Sequence, residues 1–266
     1  MKSSLAVVGT LLLLGLAVGV NSAMQTGSGL PVWREPDAEA HVITSTNWSS
    51  LVTEGKESDA IYGDFALNNT AVHVVIAQPL ATRHANMTVR DVAGAVIDLT
   101  EKNTIGGDQL AAFYPGKKKF AYRSASFRGG NGNDVTPTSK GVSGKTASVV
   151  VKSEATEQLP EVVVVYSLGA KDAFATITST FTNRGKVPLI VPLEDDFRAD
   201  GGKEDMVRSP NATTDRFWLY DRYWGQAYGL DAAGGKMQLN SDARVTAIKY
   251  ETDAGQTQVT LEPEQS

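Results

Sequence analysis

The chain has 266 residues, 30 acidic side chains against 25 lysines and arginines, a formal net charge of −5 and no cysteine. The acidic balance excludes a nucleic-acid-binding protein with a basic footprint, and the missing cysteines exclude disulfides, thiolate metal sites and a cysteine nucleophile. A chain of this length buries enough apolar surface to fold without such cross-links.

The first 23 residues predict a secretory signal peptide. A short positive start, Met-Lys, precedes the uncharged apolar run LAVVGTLLLLGLAVGV at 5–20. Cleavage is expected after Ser22 or after Ala23. An uncleaved membrane anchor is the alternative, but the run is short for a bilayer span of about 20 residues and no basic cluster follows it. The sequence therefore predicts an exported protein (periplasmic, cell-surface or secreted) with no membrane span after cleavage.

Residues 24–54 predict a linker or N-terminal strap, because their first part, MQTGSGLPVWREPDAEA, is rich in turn residues and has no hydrophobic period. Beyond it, short β-type segments recur with turn residues between them, and no amphipathic helix is longer than two turns. This pattern predicts an all-β fold, a single large antiparallel β-sandwich domain over residues 55–266.

The segments before the middle of the chain alternate between predicted strands and turns. The stretch at 62–77 predicts a hairpin around Asn68, 86–100 predicts a strand pair broken at Gly94, and 118–127 predicts a further strand. The GKKKF run at 116–120 reads as a solvated turn, and residues 128–145 as a long polar loop.

The clearest strand pattern lies in the middle of the chain. TASVVVKSEA and EVVVVYSLG are β-branched strands, and in AFATITSTF one face is apolar while the other is a ladder of threonines. VPLIVPL predicts an edge strand, because its prolines lack a ladder donor. RVTAIKYET and TQVTLEP, separated by an Asp-Ala-Gly turn, predict a hairpin near the end of the chain.

An aromatic stretch, RFWLYDRYWGQAYGL at 216–230, holds six aromatic side chains. In strand conformation both of its faces carry aromatics. A core strand covered on both faces is therefore the favoured interpretation, and an exposed sugar-binding face is the alternative. The residues of the predicted ligand face are Trp218, Tyr220, Arg222, Tyr223 and Trp224.

Arg83 and His84 form a second candidate ligand-binding group. Of the three histidines, His73 lies in an apolar strand pattern, whereas His84 follows Arg83 in a predicted loop, where polar residues more often serve function. No pair of histidines has the spacing of a zinc site.

An acidic segment, LEDDFRADGGKED at 193–205, predicts a loop with a candidate calcium site at Asp195, Asp196 and Asp200. The EF-hand pattern fails, because a loop begun at Asp196 places an arginine at its third position and a valine at its twelfth. The simpler interpretation is a solvated acidic loop. No other cofactor is expected.

Four segments together carry a resemblance to a known family: YGDFALNNTAVHVVIAQP, AGAVIDLT, VVYSLGAKDAFATITSTFTNRGKVPLIVPLEDDF and DRYWGQAYGL. They resemble a bacterial exported β module and are similar to the supersandwich domains of the galactose-mutarotase-like class. Such modules often precede carboxypeptidase-regulatory-like or PHP-type metallohydrolase domains, and they typically continue beyond the point where VTLEPEQS ends. Sugar epimerases of the class use His and Glu catalysts, and no histidine of this chain matches that role.

Two functions are consistent with these observations. The first is an exported, non-catalytic β-sandwich module that binds carbohydrate or another envelope ligand, or that supports a larger multidomain protein. The alternative is a sugar-active enzyme, epimerase-like or lyase-like, that uses carboxylates of the acidic segment or His84.

Overall fold

The computed structural model describes residues 6–13, 37–54, 58–102, 110–199, 206–223, 225–242 and 244–266, the first of these ranges by its backbone alone. These residues form an all-β protein, as the sequence predicts, with one four-residue helix, α1 (Trp48–Leu51), and a 3₁₀ turn at Gly116–Lys118. No helix within these ranges is long and apolar enough to cross a bilayer.

Twenty-one strands make up the described part of the chain. In chain order they are β1 (Ala6–Leu13), β2 (Ala38–Val42), β3 (Phe65–Asn68), β4 (Val72–Ile76), β5 (Val96–Glu101), β6 (Leu110–Pro115), β7 (Tyr122–Arg128), β8 (Asp134–Val135), β9 (Val142–Gly144), β10 (Thr146–Ser153), β11 (Glu161–Gly169), β12 (Phe174–Thr182), β13 (Leu189–Pro192), β14 (Glu194–Ala199), β15 (Met206–Arg208), β16 (Thr213–Thr214), β17 (Arg216–Asp221), β18 (Gln226–Asp231), β19 (Lys236–Ser241), β20 (Val245–Glu251) and β21 (Gln258–Leu261).

The strands form two large antiparallel sheets and one small one. Sheet A has the order β15-β17-β18-β1-β12-β11-β10-β7-β8, and sheet B has the order β16-β19-β20-β14-β6-β5-β4-β3-β2-β9. Sheet C consists of β13 and β21. Strand β1 lies within the predicted signal peptide, and β2, from the predicted linker, pairs with β3 and β9.

Sheets A and B pack face to face around the main core, so the protein is a β-sandwich. Ring pairs join the two sheets: Phe65 meets Phe127 at a centroid distance of 5.4 Å, and Phe197 meets Phe217 at 5.2 Å. In β12, alternation places Ile177 inside while the threonine ladder stays on the outer face. Period-two patterning thus gives sheet A one apolar face, as the sequence predicts.

Sheet B is covered on its outer face as well. Strands β4 and β6 are buried along their whole lengths, and segments near α1 and between β4 and β5 pack on their outer side. This second core contains Ile43, Leu51, Ala60, Ala66, Val75, Val89, Val92, Ile97 and Tyr114. Strands buried on both faces lose the polar alternation, which explains the continuous apolar runs in this part of the sequence.

Several local predictions are corrected by the strand pairing. Residues 86–95 form turns before the single strand β5, and the predicted polar loop at 128–145 contains β8 and β9. The predicted hairpin near the end of the chain is wrong, because β20 pairs with β14 and β19 whereas β21 pairs with β13. The hairpin of β3 and β4 is confirmed.

Candidate functional site

The aromatic stretch forms strand β17, whose two faces have opposite environments. Phe217 and Leu219 are 1% and 2% exposed and belong to the main core, whereas Trp218 and Tyr220 are 41% and 40% exposed on the outer face of sheet A. The favoured sequence interpretation, a core strand covered on both faces, is therefore wrong. Nothing in the described chain covers the outer face here enough to bury its two rings.

The neighbours of Trp218 and Tyr220 on the β18 side of this face are small, whereas Val207 of β15 stands opposite Tyr220 on the other side. In register with them on β18 stand Gly229 and Ala227, and directly opposite residues of an antiparallel pair project to the same side. On the β18 side the two rings therefore border a shallow floor with almost no side chains. We call the surface formed by Trp218, Tyr220, Ala227 and Gly229 the aromatic face.

A polar rim flanks the aromatic face at one end of β17. Arg216 projects to the same side and pairs with Asp231 of β18 through Nε and Oδ2 at 2.9 Å. At the level of Trp218 the backbone is held on the other side, since its N–H donates to the Ser209 hydroxyl at 2.8 Å and its carbonyl accepts from the Ser209 N–H at 2.9 Å. The strand that presents the rings is thus fixed by both neighbours.

The turn after β17 carries the third exposed aromatic side chain of the stretch 216–230. Tyr223 is 74% exposed, and its N–H donates to the buried Asp221 carboxylate at 2.9 Å. Gly225 closes the turn with φ +69° and an N–H that donates to the Asp221 carbonyl at 2.9 Å. Arg222 is exposed in the same turn, and Trp224 lies outside the described residues.

Arg83 is used inside the fold. Its guanidinium is 3% exposed, donates through Nε and Nη2 to the two carboxylate oxygens of Asp64 at 3.2 and 2.6 Å, and donates through Nη2 to the Asp59 carbonyl at 2.6 Å. Asp64 also accepts from the N–H groups of Ile61 and Gln78. This network fixes the segment between β4 and β5, which covers the outer face of sheet B. Arg83 could therefore bind a ligand only by leaving these partners.

His84 stays exposed beside Arg83. Its Nδ1 accepts from the Asp91 N–H at 3.0 Å. Asp91 lines a cavity of about 300 Å³ together with Tyr114, Lys118, Phe120 and Arg123. His84 therefore lies beside this cavity, which is distinct from the aromatic face because Arg123 belongs to β7, and β7 and β17 lie near opposite ends of sheet A.

The lysine turn (residues 116–119) borders this cavity, and two of its residues have an energetically unfavourable backbone conformation. Lys117 and Lys118 have φ of 54° and 63°, in the left-handed region that costs L-residues roughly 1–2 kcal/mol each. Lys117 lies 3.7 Å from carboxylate oxygens of both Glu194 and Asp196, and Lys119 pairs with Glu194. The prediction of a solvated lysine turn missed these ion pairs, although the lysine triplet at 117–119 and the acidic triplet at 194–196 were a signal for them.

The predicted acidic loop is wrong in its first half, because Asp195 and Asp196 lie in strand β14. Successive strand residues point to opposite faces. Asp195 is buried on the core side, where it accepts from the Gly116 N–H and the Tyr250 hydroxyl at 2.8 Å each, while Asp196 faces Lys117. Burial raises the pKa of Asp195 to about 6 against the lowering effect of these two donors.

This arrangement separates the residues of the candidate calcium site. The carboxylates of Asp195 and Asp196 occupy opposite sides of sheet B, and Asp200 lies outside the described residues. Among the residues that the structure describes, no group of three or more His, Asp or Glu side chains converges to hold a metal ion. The geometry therefore gives the calcium hypothesis no support.

His73 provides a pH-dependent test of the sheet B core. It is 5% exposed in β4, its Nδ1 has no hydrogen-bond partner among the described residues, and burial together with nearby Lys102 lowers its pKa from 6.5 to about 4. Between these pH values the unfolded chain binds the extra proton. The contribution of His73 to stability is therefore present above pH 6.5 and is lost as the pH falls to about 4, by about 3 kcal/mol in total.

We expect replacement of His73 by Gln to remove this loss. The difference in unfolding free energy between wild type and His73→Gln, measured in urea from pH 4 to pH 7.5, then rises with pH up to about 6.5 and stays flat above it. Asp98 and Asp195 have the opposite pH dependence, because their raised pKa values make folding more favourable at lower pH. Both proteins contain these two residues, so their effect cancels in the difference between wild type and variant. Parallel curves for the two proteins would contradict the assignment.

The fold and the aromatic face define this chain as an all-β sandwich with exposed aromatics on one sheet. No family model matches the sequence, and no curated protein matches it significantly. Among solved structures, a TPR-domain-containing protein from Parabacteroides distasonis ATCC 8503 is similar, with 16% identity and a TM-score of 0.49. The alignment covers 76% of this chain and 45% of that chain, so this chain spans less than half of the length of its neighbour.

Proposed function

We propose that this protein is an exported, non-catalytic β-sandwich that binds carbohydrate on its aromatic face. The observation that carries the proposal is the exposure of Trp218 and Tyr220, side by side on a strand whose other face is buried. Large aromatic side chains half-exposed together on an otherwise well-packed sheet indicate a binding surface, because their apolar area would otherwise be buried on folding.

The chemistry of the face supports a sugar as its ligand. Pyranose rings present flat C–H surfaces that pack on aromatic rings, and the small side chains of Ala227 and Gly229 leave room for such a ring beside Trp218 and Tyr220. Arg216, Asp231 and Tyr223 offer hydrogen-bonding groups around the rings for sugar hydroxyls. Residues Trp218 and Tyr220 are about 7 Å apart along the strand, so a chain of two or more sugar units fits better than a monosaccharide.

A non-catalytic role is preferred to the enzyme alternative because of the partners of the acidic side chains. Glu194 is held by Lys117 and Lys119, and Asp196 faces Lys117, so both carboxylates are already engaged by cationic partners within the fold. The aromatic face itself holds no Asp, Glu or His, and Asp231 of its rim is paired with Arg216. The proposed export rests on the predicted signal peptide at residues 1–23.

We expect Trp218→Ala to weaken glycan binding by roughly 30-fold, the effect of losing about 2 kcal/mol at a binding hot spot. The measurement is affinity electrophoresis in gels that contain xylan, laminarin, galactomannan or soluble peptidoglycan fragments, with Tyr220→Ala as the second variant. Tyr62→Ala is the matched control, because Tyr62 is 60% exposed and lies outside the aromatic face. If none of these polymers retards the wild type, or if the Tyr62 variant loses binding equally, the carbohydrate proposal fails.

A further inference from the structure

Strand β1 occupies an unusual place for a segment with the sequence of a leader. Its backbone fills the position between β12 and β18 in the interior of sheet A, with seven residue pairs to β12 and four to β18. Yet its sequence, AVVGTLLL, lies inside the apolar run that predicts a signal peptide. Removal of the leader would therefore open a gap within the sheet. We call this gap, between Phe174–Thr182 and Gln226–Asp231, the β12–β18 slot.

The geometry of the sheet keeps the two edges of the slot apart. Strand β1 is antiparallel to both neighbours, so β12 and β18 run parallel to each other, and they are separated by two strand spacings, about 9.6 Å. Each is already paired on its other side, β12 with β11 and β18 with β17. Closure would require both halves of sheet A to shift over the main core.

The side chains under the slot resist such a shift. Ile177 of β12 and Tyr228 and Leu230 of β18 are buried in the main core at 1–3% exposure, and Tyr228 meets Phe197 of sheet B at a ring-centroid distance of 6.1 Å. An open slot would leave two rows of peptide groups without ladder partners above this core. Unpaired edges of this kind recruit a further strand.

We propose that the exported protein, after removal of its leader, is a strand acceptor whose β12–β18 slot is filled by an uncharged apolar β-strand of about eight residues from a partner polypeptide. The slot favours that chemistry because β12 has no charged residue and β18 has none between Ala227 and Leu230. The segment that fills the slot here is equally uncharged. A second copy is a poorer donor, because the comparably apolar strands β10 and β11 already lie inside sheet A.

The test uses the exported protein purified from the host, with its N-terminus determined by intact mass. The probe is the synthetic peptide AVVGTLLL flanked by two lysines at each end for solubility. The control peptide carries proline in place of the second valine, which removes a ladder donor. We expect the probe, at a hundredfold excess over its dissociation constant, to raise the melting temperature by about 5 °C or more, and to slow amide hydrogen exchange in β12 and β18. The control peptide should do neither.

Three results would overturn the proposal: retention of residues 1–23 in the exported protein, unchanged exchange in β12 and β18 with the probe, or a dimer in which these amides are protected without peptide. The first of these also removes the cleavage of the leader, the part of the proposed export on which this proposal rests. None of the readouts depends on a glycan, so failure here and failure of carbohydrate binding are distinguishable.

Discussion

Replacement of Phe217 by Ala should destabilise the protein by about 3–5 kcal/mol, whereas replacement of its chain neighbour Trp218 by Ala should cost about 1 kcal/mol or less. Phe217 is 1% exposed and packs on Phe197 with ring centroids 5.2 Å apart, so its truncation leaves a cavity between the two sheets. Trp218 is 41% exposed, and its truncation leaves no enclosed cavity.

Chemical denaturation of the two variants in parallel measures this difference under identical conditions. Leu219→Ala and Tyr220→Ala extend the comparison by one strand period. The loss of unfolding free energy in the Leu219 variant should be large, like that of the Phe217 variant, and the loss in the Tyr220 variant should be small, like that of the Trp218 variant. A strand covered on both faces would give four large losses of similar size. That outcome would remove the structural basis of the aromatic face.

Replacement of Arg83 by Met should also cost about 3–5 kcal/mol, because it leaves the buried Asp64 carboxylate without its cation. Asp64 is fully buried, and Arg83 is its ion-pair partner at 2.6 Å. Arg83 also donates to the Asp59 and His84 carbonyls, so the variant frees the segment that covers the outer face of sheet B. Urea unfolding measures the loss, and proteolysis between residues 79 and 92 should accelerate with it.

A double variant separates the ion pair from the general loss of packing. Asp64→Asn combined with Arg83→Met removes both charges, so its cost should be clearly smaller than the sum of the two single costs. The matched control is Arg216→Met, which removes an exposed arginine whose pair with Asp231 lies in solvent, and no measurable change is expected. Additive losses of unfolding free energy for the Asp64 and Arg83 substitutions would contradict the conclusion that the two residues form a buried ion pair that stabilises the fold.

The fold class followed from local pattern because alternation is a local property. The ladder of threonines in β12 and the β-branched runs of β10 and β11 each identify a strand without knowledge of its partners. Partner choice is not local. The turn after β20 predicted a hairpin with β21, but both edges of β20 are occupied, by β14 and β19, and β21 pairs with β13 instead.

The candidate site was harder to predict for a related reason. Strand β17 has aromatics at successive positions, and only the arrangement of the sheets decides which face the core covers. Phe217 and Trp218 are equally apolar in sequence, but sheet B lies against one of them only. Asp195 and Asp196 are a similar case: their adjacency suggested a shared ion site, whereas strand geometry sends one to Tyr250 and the other to Lys117.

The most direct test of the aromatic face is nuclear magnetic resonance of protein with ¹⁵N-labelled tryptophan, titrated with the glycan that binds in affinity electrophoresis. The Trp218 indole signal is assigned by its loss in Trp218→Phe. We predict that this signal shifts saturably with the glycan, while the signal of Trp48, beside Tyr62 and away from β17, does not move. A glycan that binds while the Trp218 signal stays unchanged would contradict the central claim.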